Sequence, residues 1–131
     1  MKISTIVYWA ARLIAAVIML QTLYFKFTAS AESVYIFSVV NMEPWGRIGV
    51  GILELVASAL LLINATAWMG AALGLGLMGG AIMMHLTLLG IVVQDDGGQL
   101  FIYALLVALC SLVVLWMNKE RITQLVKSFS R

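Results

Sequence analysis

Residues 100–117 read LFIYALLVALCSLVVLWM, a run without one charged side chain. A helix that crosses a bilayer needs about 20 predominantly apolar residues, and this run with its flanks meets that length. Working outward from it, three more such runs appear, at 68–93, 45–63 and 6–27. The whole chain of 131 residues is 63% hydrophobic and 11% charged, where a soluble domain carries about a quarter charged residues. Lipid rather than water is therefore the expected solvent. The expected fold is all-α: one polytopic membrane domain over 1–131, with a basic amphipathic tail at 118–131.

The connections set the topology. Asn64-Ala65-Thr66 is a tight turn, and Gln94-Asp95-Asp96-Gly97-Gly98 is an acidic, glycine-rich one. Short connections imply antiparallel neighbours, hence an up-down four-helix bundle. The first run is not expected to be a cleaved signal peptide, because it lacks an A-x-A-type site before a soluble domain and three more spans follow. Lys2 precedes the first span, and Lys119, Arg121, Lys127 and Arg131 follow the fourth. The excess of basic residues on the cytoplasmic side then places both termini in the cytoplasm, with 28–45 and 94–98 outside.

Two segments are expected to lie along the membrane. In NKERITQLVKSFSR, Ile122, Leu125, Val126 and Phe129 share one helical face, opposite the basic residues. In SAESVYIFSVVNMEPW, Ser30 is a plausible N-cap, Val34, Phe37 and Val40 form a weak apolar stripe, and Pro44 suits the first turn of the next helix.

Composition excludes several functions. The formal charge is +2, with no basic patch interleaved with aromatics, so nucleic acid is not an expected partner. Cys110 is the only cysteine, which rules out an internal disulfide or a CxxC redox pair. His85 is the only histidine, so no self-contained metal or haem site is expected. The eight methionines are read as packing filler, with a copper-binding array as the sharper alternative.

The strongly polar residues within or at the margins of the spans are Arg12, Gln21, Lys26, Arg47, Glu54 and His85. At about 1.5 Å rise per residue, all but Arg12 fall in the outer half of the bundle. Arg12 alone lies in the inner half. Residues seven apart differ by only about 20° in direction, so Arg12, Met19 and Lys26 form one stripe, and Arg47 and Glu54 another. Inward stripes would let Glu54 meet Lys26 or His85. These groups either pair off structurally or form a ligand or proton-handling site, the default reading of intramembrane charge. Gly70 and Gly74, and Gly76 and Gly80, are spaced for close helix packing, as are Gly46, Gly49 and Gly51.

Arg12 in ARLIAAVIML, Lys26 in LYFKF, then EPWGRIGVGILEL and GGAIMMHLTLLG occur in an order that resembles the DoxX family of small bacterial membrane proteins. The resemblance covers about residues 8 to 117. It implies a four-helix protein of the bacterial inner membrane associated with redox systems, since the family name is shared with a subunit of a thiosulfate:quinone oxidoreductase. It also implies that Lys26, Arg47, Glu54 and His85 occupy the family's polar positions. No agreed reaction comes with it.

Three functions remain open. The first is a quinone-linked accessory subunit, at most the membrane subunit of an oxidoreductase, with no intrinsic cofactor and electrons supplied by a partner enzyme. There His85, Lys26 and Gln21 could donate to quinone oxygens, and Glu54 could relay a proton. A surplus of positive groups would also favour a negatively charged quinone species or a small oxyanion. The second is a small-solute transporter, which a chain this short could form only as a homo-oligomer and which lacks broken helices or an inverted repeat. The third is an interaction subunit that stabilises a larger membrane complex.

Overall fold

A computed structural model of the chain describes residues 2–130, and every regular element among them is helical. The helices are α1 (Ile3–Phe27), α2 (Ala31–Val39), α3 (Trp45–Leu62), α4 (Ala67–Met84), α5 (Gln99–Met117) and α6 (Lys119–Phe129). A 3₁₀ turn at Asn64–Thr66 joins α3 to α4, and α4 widens into a single π turn over His85–Leu89. Four stretches are long and apolar enough to cross a membrane: Ile3–Phe27, Trp45–Leu62, Asn64–Leu89 and Gln99–Met117. The third ends at Leu89 rather than at residue 93. Gly90 breaks it there with φ of 80°, a value at which a side chain would be strained.

α1 packs on α3 and α5, and α4 packs on the same two helices, while α1 and α4 barely meet. Small side chains permit this. Ala11, Ala15 and Ala16 of α1, Ala57 of α3, and Ala67 and Ala71 of α4 are all buried. A Cβ on Gly70 would stand 2.6 Å from the Leu61 nitrogen and 2.7 Å from the Ala57 carbonyl oxygen, so α3 and α4 touch backbone to backbone there. The second glycine pair behaves otherwise. A Cβ on Gly76 or Gly80 would meet nothing within 4 Å. Within the chain no other helix packs closely on these two, contrary to what their spacing suggests.

Burial runs against the pattern of a soluble protein. Arg12, Glu54, Ser58 and Ser111 are fully enclosed, while Leu86, Leu109 and Trp116 are mostly exposed. Large apolar side chains on the outside are inexpensive only where the surroundings are apolar too. This is the arrangement of a multi-pass membrane protein.

α2 lies across one end of the helices, touching α1, α3 and the π turn. Ser30 caps it as its sequence suggests, its Oγ accepting from the Ser33 amide at 3.2 Å. Ser33 and Phe37 are its buried face. At the opposite end, α6 packs lightly on α5. Ile122 and Leu125 are half-buried, and Val126 and Phe129 are exposed. Arg131, expected on the basic side of this helix, lies outside the described residues.

Candidate ligand site

The site is built on two helix faces. On α1, Met19, Thr22 and Lys26 follow one another at spacings of three and four, so their side chains stand in line. On α3, Glu54 points at this line with only 1% of its side chain exposed. Lys26 Nζ lies 2.7 Å from Glu54 Oε1, and the Thr22 hydroxyl donates to Oε2 at 2.8 Å. The ammonium approaches Oε1 off the line of a hydrogen bond, so the contact is chiefly electrostatic. Ser58, one turn further along α3, donates to the Glu54 carbonyl at 2.8 Å. An unpaired carboxylate at this depth would be strongly unfavourable, and the lysine offsets most of that cost.

Glu54 therefore meets Lys26 rather than His85. The His85 ring bonds the Gly90 carbonyl through Nδ1 at 2.8 Å. A carbonyl oxygen only accepts, so Nδ1 carries a hydrogen. Phe101 meets the ring edge-on at a centroid distance of 5.5 Å. The π turn makes this possible by bringing Gly90 back beneath the histidine.

The two arginines do other work. Arg47, in the first turn of α3, donates through Nε to both carboxylate oxygens of Glu43 at 2.8 and 3.0 Å. Its Nη1 donates to the Lys26 carbonyl, in the last turn of α1. Arg12, on α1, donates through Nε to the Leu61 carbonyl at 2.6 Å, in the last turn of α3, and through Nη1 to Asn64 Oδ1 at 2.9 Å. Its guanidinium stacks 3.8 Å from the Trp9 ring centroid. Each arginine thus supplies cationic donors to the carbonyl end of the neighbouring helix, where the helix dipole is negative. Together they staple α1 to α3 at both ends.

Between α1, α3, α4 and α5, beneath α2, lies a cavity of about 710 Å³. Gln21, Thr22, Lys26, Glu54, His85 and Tyr103 are its principal polar wall residues. Met19, Met42, Met78 and Met84 line much of the remainder. Of the residues expected at the site, Lys26, Glu54, His85 and Gln21 converge on this space. Arg47 is turned away to Glu43, and Arg12 is at the far end. Glu32, on α2, lies in the wall as well. The cavity's charged groups are thus one lysine and two carboxylates beside the histidine, so the surplus of positive charge expected from the sequence is absent.

The lid over the cavity carries a carboxyl pair. Burial raises the pKa of Glu32, and the negative charge of Asp96 and a hydrogen bond with it raise it further. Burial also pushes Asp96 upward, but amide donors from Val93, Gly98 and Leu100, helped by the charge of His85, hold it below the usual carboxylate value. Those amides lie 3.0, 2.8 and 3.3 Å from its carboxylate oxygens. Asp96 so fixes the turn that leads into α5.

Thr22, Glu32 and Tyr103 are members of this site that the sequence reading did not single out. Thr22 had a signal, standing one helical turn before Lys26. Glu32 and Tyr103 had none, because their place depends on how α2 and α5 are set. Compared with protein-family models, curated proteins and solved structures, the chain matches none.

Proposed function

We propose that this chain is a four-span protein of the bacterial inner membrane whose cavity binds the ring of a quinone, as the membrane-embedded accessory subunit of a redox system. In this reading the four long helices stand antiparallel, both termini are cytoplasmic, α2 and the 90–98 turn cap the outer end, and α6 lies on the inner surface. The observation that carries it is the composition of the cavity wall. It is mostly apolar, with a few polar groups grouped around one ion pair, as small-molecule sites are.

The charge balance favours a neutral ligand with acceptor oxygens over an anion. With Arg47 and Arg12 engaged elsewhere, Lys26 is the cavity's one fixed cation and is already matched by Glu54. Lys26, the Gln21 amide and the Tyr103 hydroxyl are the donors available to carbonyl oxygens. The methionine walls suit a flat ring, since thioethers are polarizable and make favourable contacts with aromatic systems. The DoxX resemblance supports a redox association and supplies no chemistry of its own.

The test is calorimetric titration of the purified protein in mild detergent with a chain-free benzoquinone, alongside Lys26→Met and Glu54→Gln. Binding by the wild type, weakened about tenfold or more in folded Lys26→Met, is expected; that loss corresponds to one charge-assisted hydrogen bond. Absence of binding by folded wild type, or equal binding by Lys26→Met, would overturn the reading. The ion pair would then serve the fold alone, as in a subunit whose role is to hold a larger complex together.

A further inference from the structure

The cavity is not closed on all sides. Gly70, Leu73, Leu77, Gly80 and Met84 follow one another on α4 at spacings of three and four, which puts them on one face. That face begins at Gly70, in backbone contact with Ala57 and Leu61 of α3. Further along, the cavity comes between them. Leu77, Gly80 and Met84 of α4, and Val50 and Glu54 of α3, are all cavity wall. The two helices are tight at one end and parted at the other.

Gly76 shows where the parting leads. It stands two residues after Gly74, about 200° further round the helix. A Cβ on Gly74 would touch Ser111 and Met19 in the interior, at 3.3 and 3.4 Å. Gly76 therefore points outward, is exposed, and still belongs to the cavity wall. Gly80, one turn on, is likewise exposed and in the wall. Both have open space where a side chain would stand. The cavity thus reaches the outer surface of the helices between α3 and α4, on the side that faces lipid if these helices span a bilayer.

We propose that the ligand is a long-chain membrane amphiphile whose apolar chain leaves the cavity sideways through this slot, over Gly76 and Gly80, while its polar ring stays beside Lys26 and Glu54. The inference rests on the quinone-ring reading above and adds the chain, its route and the residues that select for it. A ligand arriving from the bilayer then needs no passage through water, and α2 can remain seated over the outer end. The two glycines act as a sill, where the absence of side chains is what the chain requires.

The experiment compares two probes, a benzoquinone bearing a long alkyl chain and the same ring without it, titrated into wild type, Gly76→Leu, Gly80→Leu and Gly79→Leu. Gly79 is also exposed with nothing within 4 Å of its Cβ position, and it is not in the cavity wall, so it controls for a leucine added to this helix. Each methylene displaced from apolar contact lowers affinity roughly fourfold. Gly76→Leu and Gly80→Leu are expected to bind the chain-bearing probe at least about tenfold more weakly while binding the bare ring as wild type does, with Gly79→Leu unchanged for both. Undiminished binding of the chain-bearing probe by both cavity-wall variants would overturn the slot. So would an equal loss of both probes, which would make the glycines part of the ring pocket. In either case ring binding by wild type would leave the underlying reading standing, whereas wild type that binds neither probe would remove both.

Discussion

Lys26 and Glu54 are unequal partners, and the difference is measurable. Glu54 is 1% exposed and Lys26 16%, in the last turn of α1, where a lysine can extend its ammonium toward the helix end. Lys26→Met leaves a carboxylate enclosed in an apolar interior, at a cost of about 3 kcal/mol. Glu54→Gln leaves a cation with a way out and costs less, about 1 kcal/mol. The double variant Lys26→Met/Glu54→Gln should be more stable than Lys26→Met alone. Unfolding midpoints in one fixed detergent check this ordering, and a double variant less stable than either single one would refute it. A second residue-scale effect concerns pH. Glu32 has a raised pKa in the folded protein, so its neutral form favours folding, fully below its ordinary value of 4.5 and less as pH rises through the folded value. Glu32→Gln keeps the neutral form at every pH. It should unfold at a higher temperature than wild type at neutral pH, with the gap closing below about pH 4.5; a gap that persists unchanged at low pH would show that the carboxyl pair is not its cause. At this scale the sequence displayed the charges well, since Glu54 and His85 stand out in apolar runs. It did not display what each one meets. Arg47 read as a site residue because its partner Glu43 lies in the connection before α3, and His85 read as a free donor because a π turn leaves no mark in the residue pattern.

Among the helices, the glycines separate close approach from open space. Gly70 lies against the backbone of α3, and Gly49, on α3 itself, has nothing within 4 Å of its Cβ position. Gly70→Ala must push α3 and α4 apart, at about 1–3 kcal/mol. Gly49→Ala meets no obstacle and should be neutral or stabilising by up to about 1 kcal/mol, the helix preference of alanine over glycine. The unfolding midpoint should therefore fall for Gly70→Ala and hold or rise for Gly49→Ala, and a destabilised Gly49→Ala would mean that face is covered by another chain. The spacing of Gly70 and Gly74 is the same as that of Gly76 and Gly80, so pattern alone could not tell packing from sill. The distinction comes from rotation and from position along the helix: Gly76 stands about 120° round α4 from Gly70, and Gly80 lies where α4 is cavity wall. The capping of α2 by Ser30 was legible because an N-cap depends only on the neighbouring backbone. The reciprocal arginine staple was not, because it joins the end of one helix to the middle or start of another.

Across the whole molecule, hydropathy alone was enough to find the four long helices, and it located their ends within a few residues except after Leu89. Which helices are neighbours was not written there, because apolar runs are interchangeable until small residues and polar pairs match them. The cavity was invisible for a related reason, since empty space has no residue of its own. Orientation is the property for which sequence remains the stronger guide. α6 carries Lys119, Arg121 and Lys127, whereas the connection that holds α2 carries Glu32 and Glu43, with Arg47 tied to the latter. Basic segments are retained on the cytoplasmic side, so α6 should be inside and α2 outside. Cysteine labelling decides it. Cys110 is half-buried within α5 and is first replaced by serine. Ala31→Cys and Ser128→Cys are then introduced separately, both at exposed positions outside the four long helices. A membrane-impermeant maleimide applied to intact spheroplasts should modify Ala31→Cys at once and Ser128→Cys only after permeabilisation. The reverse result would place α2 and the cavity beneath it on the cytoplasmic side. Labelling of both sites without permeabilisation would mean that an even number of crossings separates them, which is incompatible with three long helices, α3 to α5, each crossing once between residues 31 and 128.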